Sequence, residues 1–216
     1  MTITGDHGAD PAKVFAQETN GEIDVIRARR ETPGCANVLH FNNAGAALMP
    51  ERVVEAAIRH LELEETMGGY EAAERVEDAI NRVYEAVAQL INCQPQDVAI
   101  VENATRAWDM AFYGFDFQAG DRILTAKAEY ASNYLAYMQI AQRTGAVIDV
   151  GPSDESGQIS VPRMAEMIDE KVKLIAFTHV PTNGGLVNPA QKLERLRARR
   201  VSRFFWMPAN RSVRCP

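Results

Sequence analysis

Apolar runs of strand length alternate with segments of helical periodicity over most of this chain, and the alternation strongly restricts the possible folds. The sequence predicts strands at 122–125, 146–150 and 173–178, and helices at about 132–145 and 161–168. Strands separated by helices favour crossover units on a mostly parallel sheet. The predicted class is therefore α/β, with ligands bound outside the carboxyl ends of the strands.

The amino-terminal part shows mainly helical patterns. A helix is predicted over 50–65, because a proline at the first helical position loses no hydrogen bond. A second helix is predicted over 70–92, and its apolar stripe indicates packing against a large surface. That stripe comprises Val76, Ile80, Val83, Val87 and Leu90. A short strand at 38–41 is predicted to enter a row of small residues at 42–47, typical of a tight turn or of close approach to the backbone.

Another strand is predicted at 98–101, and it runs directly into a helix that starts near Asn103. Asn103 is a favourable helix cap, and Thr105 places a hydroxyl beside backbone N–H groups that have no carbonyl partner inside the helix. Such a helix start carries partial positive charge and holds an anion such as phosphate without a lysine. A capped helix after a buried strand, with no ligand, explains the same stretch, since Asn-x-Thr is common at helix starts.

Two other strand ends carry aromatic or polar residues. Tyr130 lies just beyond one predicted strand, and Thr182 and Asn183 lie just beyond another. In a parallel sheet these loops share one edge with the helix start at Asn103, and a planar phosphorylated cofactor would fit there. Tyr130 would stack on its ring, and Thr182 or Asn183 would hydrogen-bond a ring substituent. Each residue also has a purely structural interpretation, as a half-buried core tyrosine or as part of a turn.

Composition sets the remaining bounds. The 216 residues are 46% hydrophobic and 24% charged, which suits one large domain or one domain with extensions. A net charge of −6 argues against binding of nucleic acid or a membrane surface by the whole chain, although residues 191–216 hold eight Lys or Arg and one acid. Three widely spaced cysteines show no metal-ligand pattern, so we expect no metal and a reducing, cytoplasmic setting. No apolar run reaches membrane-spanning length, and the start lacks a signal-peptide pattern.

Four motifs, in this order, resemble the class V aminotransferases, fold type I pyridoxal 5′-phosphate (PLP) enzymes that include cysteine desulfurases and selenocysteine lyases. The motifs are Phe-Asn-Asn-Ala-Gly-Ala-Ala from Phe41, Glu-Asn-Ala-Thr-Arg-Ala-Trp from Glu102, Glu-Tyr-Ala-Ser-Asn from Glu129, and Thr-His-Val-Pro-Thr-Asn-Gly-Gly-Leu-Val-Asn-Pro from Thr178. Each is weak alone, whereas four in sequence are specific. The resemblance spans about residues 37–189. It implies the three-layer α/β/α fold of the PLP-dependent transferase large domain, with a mostly parallel sheet, incomplete at its carboxyl terminus.

The resemblance also implies how the cofactor would be held. The phosphate would be cradled by Ala104, Thr105 and Arg106. Tyr130 occupies the place of the residue that stacks on the pyridine ring, often His in the family.

The resemblance implies further contacts beyond the phosphate and the ring face. Thr182 stands where many relatives carry an Asn near the cofactor hydroxyl, which leaves Asn183 as a candidate. The substrate side would be lined by Asn43, Ala44 and Gly45. An amino-acid substrate and a homodimer are expected for the intact fold.

We predict four parts along the chain. They are an amino-terminal arm at 1–36, a small-domain or substrate-side segment at 37–66, a partial PLP-binding large domain at 67–190, and an aberrant basic tail at 191–216. The sheet would then lose the strands that the family supplies beyond residue 189, so we expect aggregation or molten behaviour.

Two residues implied by the resemblance are missing from this sequence. The family uses an Asp that pairs with the pyridine nitrogen, and farther on a Lys that forms the Schiff base. No catalytic residue is assigned, because none of the lysines stands in the expected place. Lys127 is the only conceivable substitute and fits an ordinary surface lysine. We expect no normal turnover, and the sequence leaves PLP binding by this chain open.

The codons of the basic tail suggest how these residues were lost. Phe205-Trp206-Met207-Pro208 requires TTY, TGG, ATG and CCN, and reading from the last base of the Phe codon gives Leu-Asp-Ala without ambiguity. Permitted codons continue this as Leu-Asp-Ala-Cys-Gln-Ser-Val-Gly-Gln-Met-Pro, which looks like the family's strand with its pyridine-binding Asp. We therefore hypothesise a one-base frameshift near Ala190 or Gln191. A genuine nucleic-acid-binding tail fits the charge but not the forced Leu-Asp-Ala.

The sequence thus supports a PLP-dependent class V protein that would act on an amino acid, as a carbon–sulfur lyase or an aminotransferase, in a form without activity. A noncatalytic truncated fragment, or an interaction partner of an intact relative, is the alternative. An unrelated nucleotide-binding α/β protein is disfavoured by the absence of a Gly-rich phosphate loop.

Overall fold

The computed structural model describes residues 23–182 and 185–196, together with the backbone of 203–207. The chain divides into two units, of which the first comprises Met1–His40 and Leu48–Thr66 and the second comprises Phe41–Ala47 and Met67–Pro216. The four-part division predicted from the sequence stays a prediction. Most of its amino-terminal arm and most of its basic tail lie outside the described residues.

The first unit is helical. Helix α1 (Val25–Arg30) is capped by Asp24, whose Oδ1 accepts a hydrogen bond from the Arg27 N–H at 2.9 Å. A 3-10 helix follows at Pro33–Ala36, and helix α2 (Glu51–Met67) begins directly after Pro50, as predicted. The strand predicted at 38–41 is wrong, because the chain there pairs with no other strand among the described residues.

Two helices replace the single helix predicted over 70–92. Helix α3 (Gly69–Arg75) ends where Val76 leaves the helical region, with φ −114° and ψ 17°. Helix α4 (Glu77–Ile91) then runs to Asn92, which adopts the left-handed conformation. Its apolar stripe, predicted to pack against a large surface, stays partly exposed within this chain, since Ile80 and Val83 are 44% exposed and Leu90 is 52% exposed.

The second unit is built on a four-stranded parallel sheet. The strands are β1 (Arg122–Thr125), β2 (Val147–Val150), β3 (Val172–Thr178) and β4 (Arg203–Met207), in the spatial order β2-β1-β3-β4. All neighbouring pairs are parallel. The three strands predicted from the alternation are confirmed to within one residue.

The strand predicted at 98–101 is wrong. A 3-10 helix at Pro95–Asp97 precedes it, and Val98 is extended, with φ −98° and ψ 126°. No strand in the described part of the chain lies beside this segment, and a strand without a partner has no ladder. Its apolar side chains are only partly covered, with Ile100 52% exposed.

The carboxyl-terminal edge of the sheet corrects a second expectation. We expected the sheet to stop at β3, yet β4 extends it, with Leu174 opposite Arg203 and Thr178 opposite Met207. Five residues of the basic tail therefore supply backbone for a fourth parallel strand.

Helices cover both faces of this sheet. Helices α5 (Ala104–Phe112) and α6 (Ala131–Thr144) share one buried cluster with Ile123 and Leu174. Helices α7 (Val161–Glu166) and α8 (Ala190–Glu194) share the other with the next residues along each strand, Leu124 and Ile175. Successive strand residues point to opposite faces, so this alternation builds the two cores. The predicted three-layer α/β/α fold is confirmed.

Candidate cofactor-binding rim

The strand order places a topological switch point between β1 and β3. The loop after β1 leads to α6 on one face of the sheet, whereas the loop after β3 leads to α8 on the other face. Adjacent parallel strands whose following loops diverge in this way leave an opening at their carboxyl ends, where α/β proteins bind ligands. We call this edge the rim and define it as residues 103–106, 129–133 and 178–182.

Two helix starts meet at the rim. The Oδ1 of Asn103 accepts a hydrogen bond from the Arg106 N–H at 2.9 Å, so Asn103 caps α5 as predicted. The Thr105 hydroxyl lies 3.3 Å from the Ser132 hydroxyl in the first turn of α6. The first N–H groups of both helices have no carbonyl partner within their helix. The two starts therefore present hydroxyls, helix-start amides and the positive ends of two helix dipoles at one place.

The predicted phosphate-cradle residues differ in how they are placed. Ala104 and Arg106 are exposed, and Thr105 is half-buried. The backbone N–H of Arg106 is taken by the Asn103 cap, so only its exposed guanidinium remains to meet an anion.

Tyr130 sits at the amino-terminal cap position of α6, beside this double helix start. The residue is 40% exposed, so one part is held by the protein and another part faces solvent. Its backbone N–H donates to Glu129 Oε1 at 2.7 Å, which fixes the main chain that carries the ring. A partly exposed ring on a fixed backbone can stack on a planar ligand.

Glu129 opens the motif Glu-Tyr-Ala-Ser-Asn, from which no role was predicted for Glu129 itself. Its carboxylate accepts hydrogen bonds from the backbone N–H of Thr178 at 3.1 Å, from the Thr178 hydroxyl and from Asn133 Nδ2 at 3.1 Å. The Thr125 hydroxyl donates to it at 3.2 Å. Burial raises the pKa of Glu129, while the hydrogen bonds from these donors oppose that effect. The sequence does carry a signal for this role, because Glu129 lies just beyond a buried strand and near residues with hydroxyl and amide side chains.

The loop after β3 is closed at its base by Asn188, which sequence reasoning also missed. Asn188 is buried, and its Nδ2 donates to the Thr178 carbonyl at 2.8 Å while its Oδ1 accepts from the Ile159 N–H at 3.1 Å. Thr182 lies half-buried in this loop. Asn183 lies outside the described residues, so its predicted role stays a prediction.

The small-residue segment forms the turn that the sequence favoured. The Gly45 N–H donates to Asn42 Oδ1 at 3.2 Å, and a Cβ on Gly45 would lie 2.8 Å from that side chain. Asn43 and Gly45 are exposed and Ala44 is half-buried. The assignment of these residues to the substrate side stays a prediction.

The described lysines differ in their distance from the rim. Lys173 lies near the amino end of β3, where its Nζ contacts Asp121 Oδ2 at 2.9 Å and the Asp116 carbonyl. Lys171 immediately precedes the same strand end, and Lys192 is exposed on α8. Lys127 is exposed and follows β1, which makes it the nearest to the rim along the chain.

No group of three or more His, Cys, Asp or Glu side chains in residues 23–182 and 185–196 is arranged to hold a metal ion. No helix of this part is long and apolar enough to cross a membrane.

The residues of the rim fit part of PLP. Its phosphate needs hydrogen-bond donors and positive potential, which the Thr105 and Ser132 hydroxyls and the two helix starts supply. Its ring needs a flat apolar face, which Tyr130 presents. Partners for the pyridine nitrogen and for covalent attachment are not among the residues described at the rim.

The fold and the rim together define an α/β protein with a parallel sheet and a candidate ligand site at its switch point. A model of the family Aminotransferase class-V matches residues 39–205. The chain belongs to this family, whose cofactor is PLP.

Individual relatives agree with the family. A probable cysteine desulfurase of Synechocystis sp. is 28% identical over 166 residues, which cover 74% of this chain and 40% of the relative. A solved structure of a lysine-to-alanine mutant of C-DES, with glycine covalently linked to the PLP cofactor, has a TM-score of 0.75 at 24% identity and covers 85% of this chain and 50% of that one. A complex of the cystine C–S lyase C-DES with its product cysteine persulfide has a TM-score of 0.74 at 23% identity, over 83% of this chain and 49% of that one. The solved structures support the fold, and the chain spans less than half the length of the curated relatives it matches.

Proposed function

We propose that this chain is the PLP-phosphate-binding part of a class V enzyme that acts on an amino acid, in a carbon–sulfur lyase or an aminotransferase reaction. The observation that carries the proposal is the contact between the Thr105 and Ser132 hydroxyls at the joint start of α5 and α6, next to Tyr130. Cysteine desulfurase relatives favour the lyase over the aminotransferase.

Each rim residue has a distinct part in this proposal. Thr105 and Ser132 donate hydrogen bonds to the phosphate, and the exposed Arg106 guanidinium adds positive charge. Tyr130 stacks on the pyridine ring and excludes water from that face. Thr182 hydrogen-bonds the ring hydroxyl from the opposite loop. Bound PLP supplies an electron sink for chemistry at the α-carbon of an amino acid.

We further propose that the 216-residue chain has no normal turnover. Lys173 is held at the amino end of β3 by Asp121, far along the strand from the rim, and Lys171 precedes that strand. Lys127 is the described lysine nearest to the rim along the chain. Turnover of cysteine by the chain with added PLP should therefore be absent. Turnover that survives Lys127→Ala would mean that another lysine serves, and turnover lost in Lys127→Ala would assign Lys127.

The proposed function is tested by binding of pyridoxine 5′-phosphate, which lacks the aldehyde of PLP and so forms no imine with surface lysines. In calorimetric titration the wild-type chain should bind pyridoxine 5′-phosphate saturably. Its affinity for pyridoxine, which lacks the phosphate, should be at least tenfold weaker. Equal affinity for the two compounds, or no binding of either, would contradict the proposal.

The second candidate is a noncatalytic chain that associates with another polypeptide of the family. The observation that favours it is the exposed apolar stripe of α4, since exposed contiguous apolar surface marks interaction sites. Mixing the chain with an intact class V relative and measuring the mass of the complex by light scattering tests it, and two separate species would contradict it.

A further inference from the structure

Three residues join the two loops of the rim. They are Glu129, Thr178 and Asn188, and we call them the brace. The Thr178 N–H and hydroxyl donate to the Glu129 carboxylate, and the Thr178 carbonyl accepts from Asn188 Nδ2 at 2.8 Å. The Asn188 N–H in turn donates to the His179 carbonyl at 2.8 Å. Thr178 therefore connects the loop that carries Tyr130 with the loop that carries Thr182.

The hydrogen-bond pattern of Glu129 demands a carboxylate. Its Oε1 faces the Tyr130 N–H at 2.7 Å, and its Oε2 faces the Thr178 N–H at 3.1 Å. Backbone N–H groups cannot turn into acceptors, so a glutamine in either orientation would set its amide NH2 against one of them. Substitution by glutamine therefore breaks the brace while it keeps the size of the side chain.

The brace lies directly beside the proposed ligand site, since Glu129 and Thr178 belong to the rim. Thr178 and Asn188 are both buried, so their hydrogen bonds do not compete with bulk water. Tyr130 reaches the brace through its own backbone N–H, whereas its ring stays partly exposed. A change in the brace therefore acts on the ring through the Tyr130 backbone, and no brace residue is itself assigned a contact with the ligand.

We propose that Glu129 is a positioning residue, which sets the distance between the Tyr130 ring and the loop of Thr182 so that the planar ring of the cofactor fits between them. This inference rests on the proposed function. In this proposal the Glu129 carboxylate fixes the spacing of the two loops, and Thr178 is the residue that connects them.

The test compares Glu129→Gln with Glu166→Gln, which makes the same chemical change at an exposed position on α7. Affinity for pyridoxine 5′-phosphate is measured by calorimetry, and exchange of the Tyr130 and Thr178 amide hydrogens is measured by mass spectrometry without ligand. Glu129→Gln should weaken binding about tenfold and speed exchange at one of the two amides, because glutamine keeps an acceptor oxygen for only one of them. Glu166→Gln should change neither.

A second pair of variants covers the case in which Glu129→Gln fails to fold. Thr178→Val removes the hydroxyl donor and keeps the backbone N–H and the shape, so it should weaken binding several-fold. Thr178→Ser restores the hydroxyl and should bind like the wild type. Unchanged affinity in Glu129→Gln or in Thr178→Val, with wild-type binding intact, would overturn the positioning role alone. No binding by the wild-type chain would overturn the proposed function and this inference with it.

Discussion

The hydroxyl of Thr105 lies 3.3 Å from the hydroxyl of Ser132, and this contact joins the first turns of α5 and α6. The two residues come from separate helix starts, 27 positions apart in the chain. Both hydroxyls are able to donate to one acceptor held between the helices.

If that acceptor is the cofactor phosphate, Thr105→Val and Ser132→Ala should each weaken pyridoxine 5′-phosphate binding about tenfold, since a hydrogen bond to a charged group contributes about 1.5–3 kcal/mol. The double variant should lose less than the sum, because the two hydroxyls share one ligand and each other. Ser160→Ala is the control, since Ser160 precedes α7 without a side-chain cap hydrogen bond. Additive losses, or an equal loss in Ser160→Ala, would speak against a shared phosphate.

The exposed stripe of α4 predicts self-association. Ile80 and Val83 lie three positions apart on one helix face, and both are exposed. The double substitution Ile80→Glu, Val83→Glu should shift the chain toward monomer in sedimentation at equal concentration, with the far-UV spectrum unchanged. Gln89→Glu, which adds charge elsewhere on α4, is the control. Self-association that persists in the double variant would mean that another surface mediates it.

An ion pair at the amino end of β3 predicts how the fold responds to acid. Burial by itself would raise the pKa of Asp121, but hydrogen bonds from the Gln118 N–H and the Lys173 ammonium outweigh it, so the pKa lies below its ordinary 3.8. A carboxyl with a lowered pKa stabilises the fold above pH 3.8, and this contribution is lost as the pH falls through the lowered value.

Lys173→Met removes the cation and should move the acid loss of helical far-UV signal upward by about half a pH unit. Lys171→Met is the matched control, because the Lys171 ammonium makes no ion pair among the described residues, and it should leave the acid profile unchanged. Identical profiles for both variants would mean that Asp121 is not stabilised by Lys173.

Strand β4 shows where the Asp of the shifted reading frame would lie in the fold. In the shifted frame the Asp codon overlaps the codons of Trp206 and Met207, which lie in register with Phe177 and Thr178 at the carboxyl end of β3. An Asp there belongs to the strand end beside the rim. We predict that the gene, read in that frame from about codon 190, stays open through a downstream Lys codon, and that the restored protein unfolds cooperatively and binds PLP. A stop codon soon after the Leu-Asp-Ala would end the hypothesis.

Much of the second unit follows from local patterns. The strands at Arg122–Thr125 and Val172–Thr178 and the capped start at Asn103 depend on apolar runs and cap chemistry that are local in sequence. The meeting of residues 129–133 with 178–182 was predictable, since the carboxyl ends of the parallel strands β1 and β3 lie at one edge, whereas residues 103–106 follow a segment that is not a strand.

The failures have a different origin. Residues 98–101 have the composition of a strand, but a strand exists only when another strand lies beside it, and that partner is not written in the segment itself. The periodicity of α4 likewise predicts that its apolar stripe is covered, but it does not specify which surface covers it. Glu129 and Asn188 were missed because their partners lie 49 and 10 positions away, and side-chain periodicity carries no record of such contacts.

Hydrogen exchange with and without pyridoxine 5′-phosphate tests the central claim most directly, because it shows where on the chain the ligand binds. Saturating ligand should slow exchange in peptides that cover residues 103–107 and 129–134, and it should leave residues 161–168 on the far face of the sheet unchanged. Protection confined to other segments, or none at all at a concentration that saturates binding, would contradict a phosphate site at the joint start of α5 and α6.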